Sequence, residues 1–195
     1  VVIVDRAIED RSFSSVFADP FAGGYLAAGH LADTGRTRIA FVGPRGHRRP
    51  AAERFAGAAR AVEDRGTAGP LQLIAIDSYS VEAGREAADL ILGMPAASRP
   101  DGVFAVNDLV AIGLLQRLRS TGGVSVPDDI AVIGYDDIPY AGSALIGLST
   151  IRQPSRAIGR KAAELLIAEL DGGIAAERTL VRYEPELVVR ASSGG

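Results

Sequence analysis

Short apolar runs alternate with longer amphipathic segments along most of this chain. Runs such as Ile39–Val42, Val103–Val106 and Ile130–Ile133 contain no polar residue, which is typical of strands buried on both faces. The segments between them are about ten to sixteen residues long and carry apolar positions at helical spacing. This alternation predicts βαβ units and a parallel sheet.

Start and stop signals place the boundaries of these elements. Asp19-Pro20 is typical of a helix start, and Gly35 and Gly66 are typical of helix ends. The predicted strands occupy residues 1–4, 16–18, 39–42, 71–76, 103–106, 130–133, 148–151, 180–183 and 187–189. The predicted helices occupy residues 21–32, 50–64, 81–92, 109–120 and 155–170. We therefore predict a doubly wound α/β fold.

Composition narrows the functional classes. The 195 residues are 47% hydrophobic, carry a net charge of −3 and include no cysteine, so the chain is globular, has no disulfide or thiolate metal site, and offers no overall attraction to nucleic acid. No apolar run approaches the roughly 18 residues that a membrane helix needs. The chain starts inside a strand-like run without an initiator Met or signal-peptide features, and we interpret it as a fragment of a longer protein.

Polar side chains follow the predicted strands at the points where ligands bind in open α/β sheets. The loop Arg45–Arg49 follows one strand and leads to Arg54, and the ends of three other strands are followed by Tyr79, Asn107 and Asp136. Together they predict a crevice with guanidinium donors, an aromatic face, an amide and a carboxylate. Such a crevice suits a polyhydroxylated or heterocyclic ligand.

Each of these residues also has an ordinary structural interpretation. Asp136 could cap the turn that follows its strand, and the Arg45–Arg49 loop could simply be solvated. Asp108 is expected to be the N-cap of the helix after it, which leaves Asn107 as the crevice residue. Tyr79 could belong to the core as readily as to a site.

Catalytic patterns are missing from the sequence. The two histidines, His30 and His47, have no metal-ligand spacing, and His30 fits a structural place near a helix C-terminus. No nucleophile elbow, phosphate loop or dinucleotide fingerprint is present. Asp136 and Asp137 are adjacent, so their side chains are expected to diverge rather than form an acid–base pair. We therefore predict no catalytic residue, no metal and no cofactor, and a protein that is not an enzyme.

Several stretches, taken in order and spacing, resemble one family of bacterial regulators. The matching stretches are Val2–Arg6, Gly35–Pro44, Pro100–Phe104, Asn107-Asp108, Val126–Ile130, Val132–Asp137, Leu148–Pro154 and Leu187–Ser192. The chain resembles the ligand-binding part of the lactose/galactose repressor (LacI/GalR) family over nearly its whole length.

The resemblance implies a type I periplasmic-binding-protein-like fold with two α/β subdomains and the effector between them. Residues 1–19 and 155–179 would form part of the N-terminal subdomain, and residues 20–154 and 180–192 the nearly complete C-terminal subdomain. The family's helix-turn-helix headpiece would lie upstream and is absent from this chain. Operator DNA would be bound only through that headpiece.

The resemblance also implies functional residues and partners. Its effector contacts map onto Arg54, Asn107 and Asp136, with Tyr79 as a stacking aromatic and Arg48 as a contact that only some members use. The implied function is effector sensing in a cytoplasmic homodimeric transcriptional regulator without membrane contact, and the expected effector is a sugar. A periplasmic sugar-binding receptor of a transporter is the alternative, and its upstream segment would be a secretion signal.

Overall fold

The predicted alternation of strands and helices is present in the structure. The computed structural model describes residues 1–6, 13–45, 49–143, 147–170 and 178–194. The strands are β1 (Val2–Val4), β2 (Ser14–Ala18), β3 (Ile39–Pro44), β4 (Gln72–Ile76), β5 (Gly102–Ala105), β6 (Ala131–Asp136), β7 (Ser149–Arg152), β8 (Leu180–Tyr183) and β9 (Glu186–Val188). The helices are α1 (Pro20–Asp33), α2 (Arg49–Asp64), α3 (Val81–Leu92), α4 (Asp108–Ser120), α5 (Pro139–Ser143) and α6 (Ser155–Leu170), followed by a 3₁₀ turn at Ala191–Ser193.

Six strands form a large sheet in the order β4-β3-β5-β6-β7-β9. The first five are parallel, and β9 joins β7 in the antiparallel direction. The chain moves from β3 to β4 in one direction and from β4 to β5 in the other, so right-handed crossovers place α2 and α3 on opposite faces. The reversal creates a switch point between β3 and β5, where open α/β sheets bind ligands.

The core of the large sheet is aromatic where its central strands meet. Phe41 lies 5.2 Å from Phe104, and Phe104 lies 6.4 Å from Tyr135, measured between ring centroids. All three side chains are essentially inaccessible to solvent. The apolar runs that predicted strands buried on both faces are therefore the central strands of this sheet.

Three further strands form a small parallel sheet in the order β1-β2-β8. Helix α6 packs on it through Ile158, which shares a cluster with Val16 and Ala18. The described chain passes between the two sheets at three places, namely 18–20, 152–155 and 183–186. The first and third crossings are joined, because the Asp19 backbone N–H donates to the Tyr183 carbonyl oxygen at 2.9 Å.

The placement of Leu180–Tyr183 corrects one part of the sequence prediction. Residues 180–192 were grouped with residues 20–154, but Leu180–Tyr183 pairs with β2 in the small sheet, and the chain rejoins the large sheet only at β9. Only two residues separate these two short strands, and no local sequence pattern shows that they belong to different sheets. The division into subdomains itself remains a prediction.

Local sequence signals predicted the start of α1, while one strand start and one helix differ from the sequence prediction. Asp19 caps α1 as predicted, since its carboxylate accepts the Ala22 N–H at 3.0 Å. Strand β2 begins at Ser14, two residues before the predicted start, and helix α5 was not predicted.

In the described part of the chain no helix is long and apolar enough to cross a bilayer.

Candidate ligand-binding site

A cavity of about 270 Å³ lies at the switch point, between the large sheet and the end of β1. Its lining residues come from the ends of four strands and from the first turns of α2. They are Asp5, Pro50, Ala51, Arg54, Tyr79, Val106, Asn107 and Asp136.

Four of the five residues predicted from the sequence line this one cavity. Arg54, Tyr79, Asn107 and Asp136 converge there from α2 and from the ends of β4, β5 and β6. Arg48, the fifth, lies outside the described residues.

Arg54 is a buried cation held on three sides. One Nη donates to the Val106 carbonyl oxygen at 2.7 Å, and the other lies 4.0 Å from a carboxylate oxygen of Asp136. The guanidinium carbon sits 3.6 Å above the centroid of the Tyr135 ring, a geometry that favours a cation on an aromatic face. Arg54 Nε is buried without a hydrogen-bond partner among the described groups. The guanidinium is therefore fixed in place, and the Nη beside Asp136, which lies beyond hydrogen-bond distance of that carboxylate, is the group that can donate to a ligand.

The close approach of α1 and α2 fixes the backbone that carries Arg54. A Cβ at Gly24 would overlap the Arg54 carbonyl oxygen, and a Cβ at Gly57 would overlap the Phe21 carbonyl oxygen. Glycine at both positions lets the two helices pack backbone to backbone. The arginine thus projects from a rigid helix pair rather than from a loop.

Asp136 supplies the acceptor opposite Arg54. Its carboxylate accepts the Gln153 Nε2–H at 2.8 Å. Burial raises the pKa of this carboxyl and the Asp5 carboxylate adds to the effect, while Arg54 and Gln153 oppose it. A partly buried carboxylate beside a guanidinium can accept from one ligand hydroxyl while the arginine donates to the next.

Asp136 and Asp137 diverge, as expected for adjacent side chains. Asp137 forms ion pairs with Arg152 and with Arg190, each at 2.7 Å. These two guanidinium groups hold the pKa of the Asp137 carboxyl below its ordinary value, despite the desolvation that opposes them. Asp137 therefore braces the turn, and Asp136 alone faces the cavity.

The sequence predicted Asp108 as the N-cap of α4, but the structure has Asn107 at that position. Asn107 also lines the cavity, as predicted. Asn107 is the N-cap of α4, because its side-chain oxygen accepts the Val110 N–H at 3.0 Å. Its amide nitrogen lies 3.5 Å from the Tyr79 carbonyl oxygen and lines the cavity. Asp108 is 1% exposed and bonds to Thr150 and Ile138 instead. The capping prediction for Asp108 was wrong because an Asx residue one position earlier satisfies the same amides.

The sequence analysis of strand ends missed Asp5, which lines the cavity, and Gln153, which supports a cavity residue. Asp5 follows β1 as Asp136 follows β6, but only strands between residues 39 and 137 had been considered. Gln153 does not line the cavity, yet it binds Asp136 from the crossing that follows β7. The rule that found the other residues would have found Asp5 had it been applied to the small sheet.

Comparison with protein families agrees with this architecture. The model for a periplasmic binding protein-like domain matches residues 28–193. This match spans most of the chain, including Arg54 in α2 and the strand ends that carry Tyr79, Asn107 and Asp136.

Individual proteins support the same assignment. The HTH-type transcriptional repressor PurR of Vibrio campbellii is 34% identical over 97% of the chain, which spans 55% of that protein. A LacI family transcriptional regulator from Enterococcus faecium, solved with bound ribose, is 30% identical with a TM-score of 0.88, over 98% of this chain and 70% of that one. The complex of the transcriptional regulator CelR with cellobiose gives 30% identity and a TM-score of 0.85, over 98% of this chain and 58% of that one.

The chain thus spans about half the length of the curated relatives it matches, 55% in the case of the Vibrio campbellii repressor. Within that span the sequence identity to the repressor and the structural similarity to the regulators point to one group of proteins. The chain belongs to the periplasmic-binding-protein-like domain family, in the form found in LacI-family transcriptional regulators.

Proposed function

We propose that this chain is the effector-sensing part of a LacI-type transcriptional regulator and that its effector is a sugar. The observation that carries the proposal is the cavity at the switch point, where a buried guanidinium and a carboxylate lie side by side. Paired donors and acceptors of this kind match the vicinal hydroxyls of a sugar ring. Ribose and cellobiose are bound by two of the similar regulators, which favours the same class of ligand here.

In this proposal Arg54, Asn107 and Asp136 bind the effector directly, Tyr79 offers a flat face, and Arg48 adds a further contact. The ligand favours one arrangement of the two sheets over another and shifts their populations. In the regulator that shift changes operator affinity through a DNA-binding headpiece that is not among these residues. Cytoplasmic location belongs to the same proposal, and the regulator relatives favour it over a periplasmic receptor.

Arg54→Ala tests the role of the guanidinium. It removes donors from a buried site and leaves Asp136 without its cationic neighbour, so we expect sugar binding to weaken by roughly 2–4 kcal/mol. Isothermal titration calorimetry with ribose, cellobiose and the purine base hypoxanthine measures both the class of ligand and the effect of the variant. Arg60→Ala is the matched control, because Arg60 lies on the same helix with a solvent-exposed guanidinium.

These titrations answer two questions separately, namely whether Arg54 binds the ligand and which class of compound the ligand belongs to. Unchanged affinity in Arg54→Ala would remove this residue from the site. Binding of hypoxanthine but of neither sugar would leave the sensor role in place and replace the ligand class.

Homodimerisation is the remaining part of the proposal. The resemblance to the family supports it, since isologous pairing is the common way in which such regulators present two DNA-binding units. Sedimentation velocity over a hundredfold range of concentration would show a dimer that dissociates on dilution. A monomer across the whole range would remove this part of the proposal.

A further inference from the structure

Asp108 is a buried carboxylate that adjoins the cavity without lining it. It is 1% exposed and follows the cavity residue Asn107 in the chain. A ligand cannot reach it, so a contact role is excluded. Its bonds lead instead toward the second half of the site.

Those bonds end on the turn that carries Asp136. One oxygen of Asp108 accepts the Thr150 hydroxyl at 2.6 Å, and the other accepts the Ile138 N–H at 2.8 Å. The Thr150 hydroxyl oxygen also lies 3.4 Å from the Asp137 backbone N–H, which donates to it. A Cβ at Gly134 would overlap the Asp108 carboxylate, so the strand leaves just enough room for this group.

The turn needs such support because its backbone is strained. Asp136 has φ of 110° and Asp137 has φ of 53°, conformations that residues with a side chain rarely adopt and that persist only where the surroundings hold them. Asp108 and Thr150 hold the two backbone amides that directly follow Asp136. Losing either group would free the turn to relax and carry the Asp136 carboxylate with it.

We propose that Asp108 is a positioning residue, which acts together with the Thr150 hydroxyl to set where Asp136 presents its carboxylate to the cavity. The proposal deepens the proposed function, since it concerns a residue that the effector would contact. Its alternative is a purely structural role for Asp108 at the start of α4. The two differ in whether the Asp136 carboxyl senses the loss of Thr150.

The first test needs no ligand. Burial raises the pKa of the Asp136 carboxyl, so its titration, followed by carbon-13 NMR of labelled aspartate, reports whether it stays in the cavity. We expect Thr150→Val, which removes the hydroxyl without changing any charge, to lower this pKa toward the ordinary aspartate value. Thr150→Ser returns a hydroxyl and should restore the wild-type titration. Asp89→Asn, at an exposed ion pair on α3, is the control.

A second variant covers the case in which Thr150→Val does not fold. Asp108→Asn keeps the shape of the side chain but can accept only one of the two hydrogen bonds. We expect the same downward movement of the Asp136 pKa, and Asp108→Glu, which keeps the negative charge but displaces the two acceptor oxygens, separates positioning from the simple loss of a neighbouring charge. An Asp136 titration that matches the wild type in every folded variant would overturn the proposal.

The effect on binding is measured separately by calorimetry with ribose and cellobiose. Where the wild type binds, Thr150→Val should weaken binding roughly tenfold, and Thr150→Ser should stay within about twofold of the wild type. Full affinity in Thr150→Val would contradict positioning. If the wild type binds neither sugar, the proposed ligand class fails, and the Asp136 titration still decides the role of Asp108.

Discussion

Single residues of the site are tuned mainly by burial. Burial raises the pKa of Asp108 to about 6, and the nearby Asp136 and Asp137 carboxylates add to the effect, while the bonds from Thr150 and Ile138 oppose it. Burial also raises the pKa of the Tyr135 hydroxyl to about 12, against the opposing effect of the Arg54 guanidinium. The groups that shape the cavity therefore keep protons more readily than they would in water.

The pKa of Asp108 predicts a pH dependence of stability with a definite sign. Between pH 4 and 6 the folded chain holds a proton on Asp108 that the unfolded chain has lost, so this group's contribution to the free energy of unfolding falls as pH rises. The loss is of order 3 kcal/mol between pH 4 and 7, at about 1.4 kcal/mol per pKa unit.

Urea denaturation of the wild type and of Asp108→Asn at pH 4.5, 5.5, 6.5 and 7.5 measures this contribution. The asparagine variant does not titrate, so the wild type should lose stability relative to it as pH rises. A difference between the two proteins that stays constant over this range would contradict the raised pKa. Carboxyl groups away from the site are common to both proteins and cancel in the comparison, while the expected fall of the Asp136 pKa in the variant adds to the difference with the same sign.

The residues that line the cavity were predictable where the strand-end rule applied, but the N-cap of α4 was not. Arg54, Tyr79, Asn107 and Asp136 follow strands that the apolar pattern defines clearly. The sequence could not show whether Asn107 or Asp108 caps α4, because both residue types cap helices equally well. The groups that hold Asp108 inward, the Thr150 hydroxyl and the Ile138 N–H, are distant from it in the chain.

At the scale of elements, glycine pairs determine how closely the helices pack. Gly24 and Gly57 bring α1 against α2, and Gly84 and Gly113 bring α3 against α4, since a Cβ at any of the four would overlap a backbone carbonyl oxygen of the partner helix. Backbone atoms cannot move aside as a flexible side chain can. The helix pairs must separate to accept a larger residue.

Gly57→Ala should therefore destabilise the chain by roughly 1–3 kcal/mol, the usual range for overpacking. Gly159→Ala is the matched control, because Gly159 lies in α6 with open space around its Cβ position. There the added methyl group should stabilise the helix by about 0.5–1 kcal/mol. Urea denaturation of both variants measures whether each substitution lowers or raises the free energy of unfolding. Equal effects at the two positions would contradict the packing argument.

Element boundaries were predictable from apolar runs but not where polar residues are buried. Ser14 and Ser15 extend β2 beyond its apolar part, and both are almost fully buried. Ser14 gains a partner from the Thr179 backbone N–H at 3.3 Å, a contact between residues far apart in the chain. A hydropathy pattern cannot anticipate a strand that is completed by partners so distant in sequence.

At the scale of the whole molecule, the cavity lies between two sheets that are joined by three crossings. Asp5 reaches it from the small sheet, while Arg54, Asn107 and Asp136 reach it from the large sheet side. The sequence predicted the sheet type and four residues that line the cavity, but it placed β8 in the wrong sheet. Sheet membership depends on pairing between distant strands, which leaves no mark on a four-residue run.

This arrangement predicts how a bound sugar changes the motions of the chain. A ligand that contacts Asp5 and Arg54 together ties the two sheets, so opening about the crossings should become rarer. Hydrogen–deuterium exchange should then slow roughly severalfold at residues 18–20, 152–155 and 183–186 when the tightest-binding sugar is added. The packed segment between Gly84 and Ile91 in α3, away from the crossings, should be unaffected.

Two variants make the exchange experiment decisive. Arg54→Ala should abolish the slowing at the same sugar concentration, whereas Arg60→Ala should preserve it, because Arg60 is exposed on the same helix. Protection confined to the cavity residues, with the crossings exchanging as before, would mean that the sugar binds to the large sheet alone. In that case binding could not shift the arrangement of the two sheets, since a ligand acts on an equilibrium only through different contacts in its two states.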